Sequence, residues 1–192
     1  MNLSIQSNID EIARKFSSIS KAELDKATYL AINRSIDGAK TETDRAIRAR
    51  YNIKQLDVQK VLSIKGYASA WRLNATMGAK GNRIPIYAFD PKPAEPVWRK
   101  PASVSIRKGG GRKTSSTWFV ARMKSGHVGI FRRKDPQVRP SKRLPIKEVF
   151  TISVPEMLQA KEVMELVKTN TVARFDKEFE RLISVILKGG LR

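Results

Sequence analysis

Met123-Lys124-Ser125-Gly126-His127-Val128-Gly129-Ile130-Phe131-Arg132-Arg133-Lys134 opens the stretch that decides the fold, and Leu144-Pro145-Ile146-Lys147-Glu148-Val149-Phe150-Thr151-Ile152 closes it. Each half holds a strand-like run: His127 to Arg132 after a Lys124-Ser125-Gly126 turn, and Leu144 to Ile152 ahead of Val154-Pro155. The two runs face each other across a cationic loop, 133–143, that carries Arg133, Lys134, Arg139, Lys142 and Arg143 and is stiffened by Pro136 and Pro140. Upstream, Thr117 to Met123 is the strongest strand pattern in the chain. It puts Trp118, Val120 and Arg122 on one side and Phe119, Ala121 and Met123 on the other, and the Gly126 turn joins it to His127–Arg132 as a hairpin.

Further toward the N-terminus the period stays that of strands. Val61 to Ile64, Ala70 to Thr76 and Ile84 to Phe89 read as strands, with Gly66 and residues 78–82 as turns; Pro85 marks an edge strand or a strand start. Residues 90–101 hold four prolines and form an extended arm, in which Trp98, flanked by Arg99 and Lys100, pins the arm to a surface of this chain or of a neighbour. Val104 to Arg107 alternates as a strand. Residues 108–116, with Lys108, Arg112 and Lys113 among three glycines, read as a flexible loop tip.

Both ends read as helices. A short amphipathic helix fits residues 8–19, with Ile9, Ile12, Ala13 and Phe16 on one face. Ser20 caps a longer helix to about Arg50, with Glu23 as its capping-box partner; Leu24, Ala27, Ala31, Ile32 and Ile36 recur at helical spacing. Gly38 weakens that helix by about 1 kcal/mol relative to alanine. One or two helical turns fit Gln55 to Leu62. After Pro155 a helix runs from Glu156 to about Lys188, with a break expected near Thr169-Asn170-Thr171. Its Phe175 and Phe179 are expected to meet the alanine-lined face of the first long helix. The expectation is one α+β domain over 1–192: a helical N-terminal region over residues 1–60, a mainly antiparallel basic β region 61–154 with long hairpins, and a C-terminal helix 155–192.

Charge is segregated along this architecture. The chain of 192 residues has 38 Lys and Arg against 18 Asp and Glu, a net +20. Residues 92–143 alone hold 15 basic and 2 acidic side chains, whereas residues 144–192 hold 8 and 7 and residues 1–60 hold 11 and 8. Positive charge this concentrated repels itself unless a polyanion or acidic neighbours are near. Arg107, Lys108, Arg112, Lys113, Arg132, Arg133, Lys134, Arg139, Lys142 and Arg143 are therefore the candidate contacts to DNA or to a partner, and Trp98, Arg99 and Lys100 the candidate inter-subunit arm. The residues do not separate nucleic acid from an acidic protein ring, and a purely solubilising surface also fits them.

Little catalytic chemistry is on offer. There is no cysteine, which excludes disulfides and thiolate metal sites, and one histidine, His127, is too few for a histidine-based zinc site. No nucleotide-binding Gly-x-x-x-x-Gly-Lys-Ser/Thr spacing, acidic metal cluster or Gly-x-Ser-x-Gly occurs. His127 reads as a polar contact at a turn or strand. A small metal-free ribonuclease using Arg, Lys, Tyr and His127 is the enzymatic alternative, and a stand-alone nucleic-acid-binding protein is the other. The start of the chain lacks the pattern of a signal peptide, and no apolar run approaches a membrane span, so a soluble protein without membrane contact is expected.

Taken in order, the motifs resemble a known family. They are Ala31-Ile32-Asn33-Arg34 in the first long helix, Trp71-Arg72, Arg83-Ile84-Pro85-Ile86, the hairpin Gly126-His127-Val128-Gly129-Ile130-Phe131-Arg132-Arg133, Leu144-Pro145-Ile146, Val154-Pro155 and a terminal helix. This order resembles the minor tail protein Z family of tailed bacteriophages and prophages, and more distantly the tail-completion proteins of long-tailed phages, over nearly the whole chain. The resemblance implies a non-enzymatic virion protein of the tail or neck, assembled in the host cytoplasm, with no catalytic residues and no cofactor. It would complete the head-proximal end of the tail, supporting head–tail joining and DNA passage. The implied partners are further copies in a ring, six-fold in the family setting, tail-terminator or tail-tube and head-connector proteins, and genomic DNA in the channel.

Overall fold

Ser20 and Glu23 set the first long helix by satisfying each other's neighbouring backbone. The Ser20 amide donates to Glu23 Oε2 at 3.0 Å, and the Glu23 amide donates to Ser20 Oγ at 3.3 Å. The computed structural model describes residues 19–134 and 145–188, so the expected helix over 8–19 lies almost wholly outside the described residues, as do Arg139, Lys142 and Arg143. The helices are α1 (Lys21–Arg50), α2 (Gln55–Gln59), α3 (Val154–Leu158) and α4 (Lys161–Leu187). The strands are β1 (Leu62–Gly66), β2 (Thr76–Ala79), β3 (Ser103–Val104), β4 (Lys113–Thr114), β5 (Phe119–Arg122), β6 (Val128–Arg133) and β7 (Ile146–Glu148). Long terminal helices with small antiparallel sheets between them make this an α+β protein.

The described chain folds as two compact units. The first draws on Met1–Ala46, Gln59–Lys80 and Leu158–Arg192, and the second on Ile47–Val58 and Gly81–Met157. In the first, Ala27, Ala31, Ile32 and Ile36 of α1 share a buried cluster with Phe175, Phe179, Leu182 and Ile183 of α4. The alanines leave room for the two rings, which stack on each other at 5.6 Å between centroids, as expected for aromatics at i and i+4. The antiparallel pair β1–β2 adds Met77 to this core. Gly38 has a packing reason within α1: a Cβ there would stand 1.9 Å from Nη1 of Arg174, whose side chain crosses the glycine.

The second unit is built on the decisive stretch. β5 and β6 pair antiparallel with Val120 opposite Ile130, and β6 pairs antiparallel with β7 with Arg132 opposite Lys147. The two runs flanking the cationic loop are therefore neighbouring strands. The described part of the run Leu144 to Ile152, residues 145–152, divides its backbone between two partners. β7 bonds β6, while the amide of Thr151 donates to Ile84 O at 2.9 Å and Val149 O accepts from the amide of Ile86 at 2.9 Å. Val104, Val120 and Ile130 are buried together with Ile86 and Ala102.

Several expected elements differ. Residues 69–75 are a turn and loop, in which Ser69 and Arg72 exchange both backbone hydrogen bonds, and the strand lies later, at Thr76–Ala79. Gly78, expected in a turn, sits in that strand, where the Lys65 side chain lies across the space a Cβ would fill. Of Ile84 to Phe89, only Pro85 forms a bridge, with Phe150, and Ile86–Ala88 is a single 3-10 turn. The loop 108–116 is not an open tip throughout. Lys113–Thr114 pairs with Ser103–Val104, and Gly109 and Gly111 take the left-handed φ of +75° and +72° that the return requires. No break occurs at 169–171: α4 runs through, with the Thr171 hydroxyl donating to Val167 O at 2.6 Å inside the helix. The interruption falls earlier, between α3 and α4. A second capping box, Ser153 with Glu156, starts α3.

Candidate functional site

The second unit holds 20 Lys and Arg against 6 Asp and Glu, a balance of +14, so most of the chain's field belongs to it. Its acids are largely occupied locally. Asp90 pairs with Arg112, Glu95 with Arg122 at 2.7 Å, and Glu148 Oε1 lies 2.9 Å from His127 Nε2. Glu156 serves the Ser153 cap. Few carboxylates of this unit are therefore left to meet a partner.

Each candidate contact has a definite place. Arg107 bridges the backbone of Tyr51 just beyond α1 and lays its guanidinium 6.0 Å from the centre of the Tyr51 ring. The Lys108 amide donates to Arg50 O at 2.8 Å, which leaves the side chain exposed. Lys113 stands exposed on β4 opposite Val104. Arg132 is exposed on β6, Arg133 is half-buried opposite Ile146, and the Lys134 amide is fixed to Pro145 O at 3.0 Å. Arg132, Arg133 and Lys134 therefore leave one strand end together. Lys147 joins them across the β6–β7 register, a residue that sequence reasoning missed and that only the strand pairing brings to the group.

Arg112 has a different role. Its guanidinium donates to the Asp90 carboxylate, to Asp90 O at 2.6 Å and to Ser103 O at 3.1 Å, and its Nε donates to Ser103 Oγ at 3.2 Å. Five donors in a rigid fork suit this staple, which ties β4 to the start of the arm. Asp90 itself sits at φ +45°, a conformation tolerated by aspartate better than by most residues.

The segment 90–101 is a loop fastened at both ends, with Lys92 and Ser103 exchanging backbone hydrogen bonds and the Ala102 amide donating to Trp118 O at 2.9 Å, so the expected extended arm instead doubles back and displays its tip. Trp98 is 83% exposed, so it is not pinned to this chain. The Arg99 guanidinium lies 5.8 Å from the Trp98 ring centre, and Lys100 is exposed beside it. An open groove of about 760 Å³ runs along the same unit, lined by Tyr51, Ile53, Pro85, Tyr87, Asp57 and Glu148 among others. His127 reaches it too, holding Glu148 across the strands and packing edge-on against Phe131. Among the described residues no group of three or more His, Cys, Asp or Glu is placed to hold a metal, and no helix is long and apolar enough to cross a membrane.

An α+β chain whose charge is gathered on one β-rich unit, with an aromatic arm, has the makings of a protein of assemblies. The chain belongs to the family described as prophage minor tail protein Z (GPZ), whose profile matches residues 8–192. That family is one of structural proteins of phage tails and is not known as an enzyme family. No curated protein and no solved structure matched the chain.

Proposed function

We propose that this chain completes the head-proximal end of the phage tail, as a ring of copies that supports joining to the filled head and passage of DNA. The excess charge of the second unit carries this reading: a +14 unit, four of whose five described acids are engaged within it, needs polyanionic or acidic company. The group Arg132, Arg133, Lys134 and Lys147 and the exposed Arg107, Lys108 and Lys113 meet DNA phosphates or the acidic faces of tail-terminator, tail-tube or head-connector proteins. The exposed Trp98–Arg99–Lys100 arm reaches a neighbouring subunit, where a tryptophan backed by cations makes a compact anchor.

The test is complementation of a phage lacking this gene with the variant Arg132→Gln, Lys134→Gln, Lys147→Gln. DNA-filled heads and unjoined tails should accumulate separately. Normal particle yield would sink the reading. The purified chain separates the two kinds of partner, because each neutralised phosphate steepens the salt dependence of DNA binding by about 0.9 in log K against log salt.

A further inference from the structure

Trp71 is the most exposed large apolar side chain among the described residues, at 97%, yet it sits on an ordered loop. Below it, Asn33 of α1 clamps the backbone of Ala68 from both sides. Its Nδ2 donates to Ala68 O at 3.0 Å and its Oδ1 accepts from the Ala68 amide at 2.7 Å. The Tyr67 hydroxyl donates to Asp37 at 2.9 Å, and Ala68 and Ala75, on either side of the turn, are buried in the first core. Ser69 and Arg72 close the tip with paired backbone bonds of 2.9 and 3.0 Å. An indole displayed on a fastened loop loses little conformational freedom on binding, which is the property of an interface anchor.

The chain also carries a receptor of matching chemistry. The groove of the second unit has apolar and aromatic lining from Tyr51, Ile53, Pro85 and Tyr87, and its volume of about 760 Å³ admits an indole. Of the carboxylates that line it, Asp90 is engaged by Arg112 and Glu148 by His127, whereas Asp57 has no ion-pair partner among the described residues. Arg72, next to Trp71, likewise has none. Copies of a +20 chain repel one another, so a contact between them needs apolar burial together with one of the few carboxylates left over. Lys54 and Lys108 line the same groove, so the attraction is one local pair and the indole supplies most of the affinity.

We propose that Trp71 of one copy seats in the second-unit groove of another, with Arg72 meeting Asp57 there. Knob and groove are different surfaces, so the contact is head-to-tail and can propagate around a closed ring. It rests on the ring reading in that it names the contact between copies.

The full chain labelled with 5-fluorotryptophan gives one fluorine resonance for each of its three tryptophans, and Trp71→Ala assigns the one in question. As concentration rises and sedimentation reports association, the Trp71 resonance should shift and lose its solvent isotope effect. Trp71→Ala should weaken association at least about 30-fold. Arg72→Glu and Asp57→Arg should each weaken it, and the two together should restore it. Circular dichroism serves as the folding control, since all three side chains lie at least partly in solvent. A Trp71 resonance that stays water-like at every concentration, or a charge swap that restores nothing, overturns the proposal. Association that ignores Trp71→Ala sinks this contact and leaves the ring standing. Trp71-dependent association in a chain absent from the head-proximal end of tails sinks the tail-completion reading and leaves the contact.

Discussion

Replacing Arg112 by lysine separates charge from geometry at the basic surface. The substitution keeps the positive charge, so a side chain acting as a plain cation would hardly notice it. In the structure the fork spans two residues, bonding the carboxylate and carbonyl of Asp90 and the carbonyl and hydroxyl of Ser103. A lysine ammonium can keep the ion pair with Asp90, which is half-exposed and therefore worth well under about 1 kcal/mol. It cannot also reach both atoms of Ser103, and partly exposed hydrogen bonds of this kind contribute about 0.5–1.5 kcal/mol each. The expected loss is about 2 kcal/mol from the second unit, against less than about 0.5 kcal/mol for Arg132→Lys, an exposed strand position. Urea unfolding followed through Trp118, which packs against the second unit's core, reads this unit directly. Binding of a short DNA duplex should change little for Arg112→Lys below the unfolding range. Equal stability of the two lysine variants, or a specific loss of DNA affinity for Arg112→Lys in the folded protein, would refute the staple.

Two further outcomes follow from the first unit. Gly38→Ala should gain about 1 kcal/mol in an Arg174→Ala background, where the three nearest obstructing atoms are gone, and clearly less when Arg174 is present and must move aside; equal gains in both backgrounds, measured by urea unfolding, would contradict the packing. The Glu23 carboxyl is held below the usual glutamate range, first by the hydrogen bond from the Ser20 hydroxyl and then by that from the Ser20 amide. A depressed carboxylate stabilises the fold above its unfolded pKa and loses that effect as pH falls through the folded one. The stability difference between the natural chain and Glu23→Ala should therefore narrow from neutral pH into acid, and curves that stay parallel would rule the cap out as its source.

What could be read from residue order alone was whatever depends on neighbours in the chain. The Ser20–Glu23 box, the helical spacing that brings Phe175 and Phe179 onto one face, the Gly126 hairpin and the concentration of cations between two balanced ends all act within a few residues, and all were legible. Ser153 with Glu156 has the same spacing and starts α3 in the same way. Tertiary structure alone decided the rest. The apolar look of Ala70 to Thr76 suggested a strand, but the Asn33 clamp, 35 residues away in the chain, turns that segment outward and leaves Trp71 in solvent. Arg112 looked like one more cation of a glycine-rich loop until Asp90 and Ser103 were found beneath its fork. Composition determines how much charge and apolar surface a chain must place. Only long-range backbone pairing determines which carboxylate neutralises which cation, and so which of them are left for a partner.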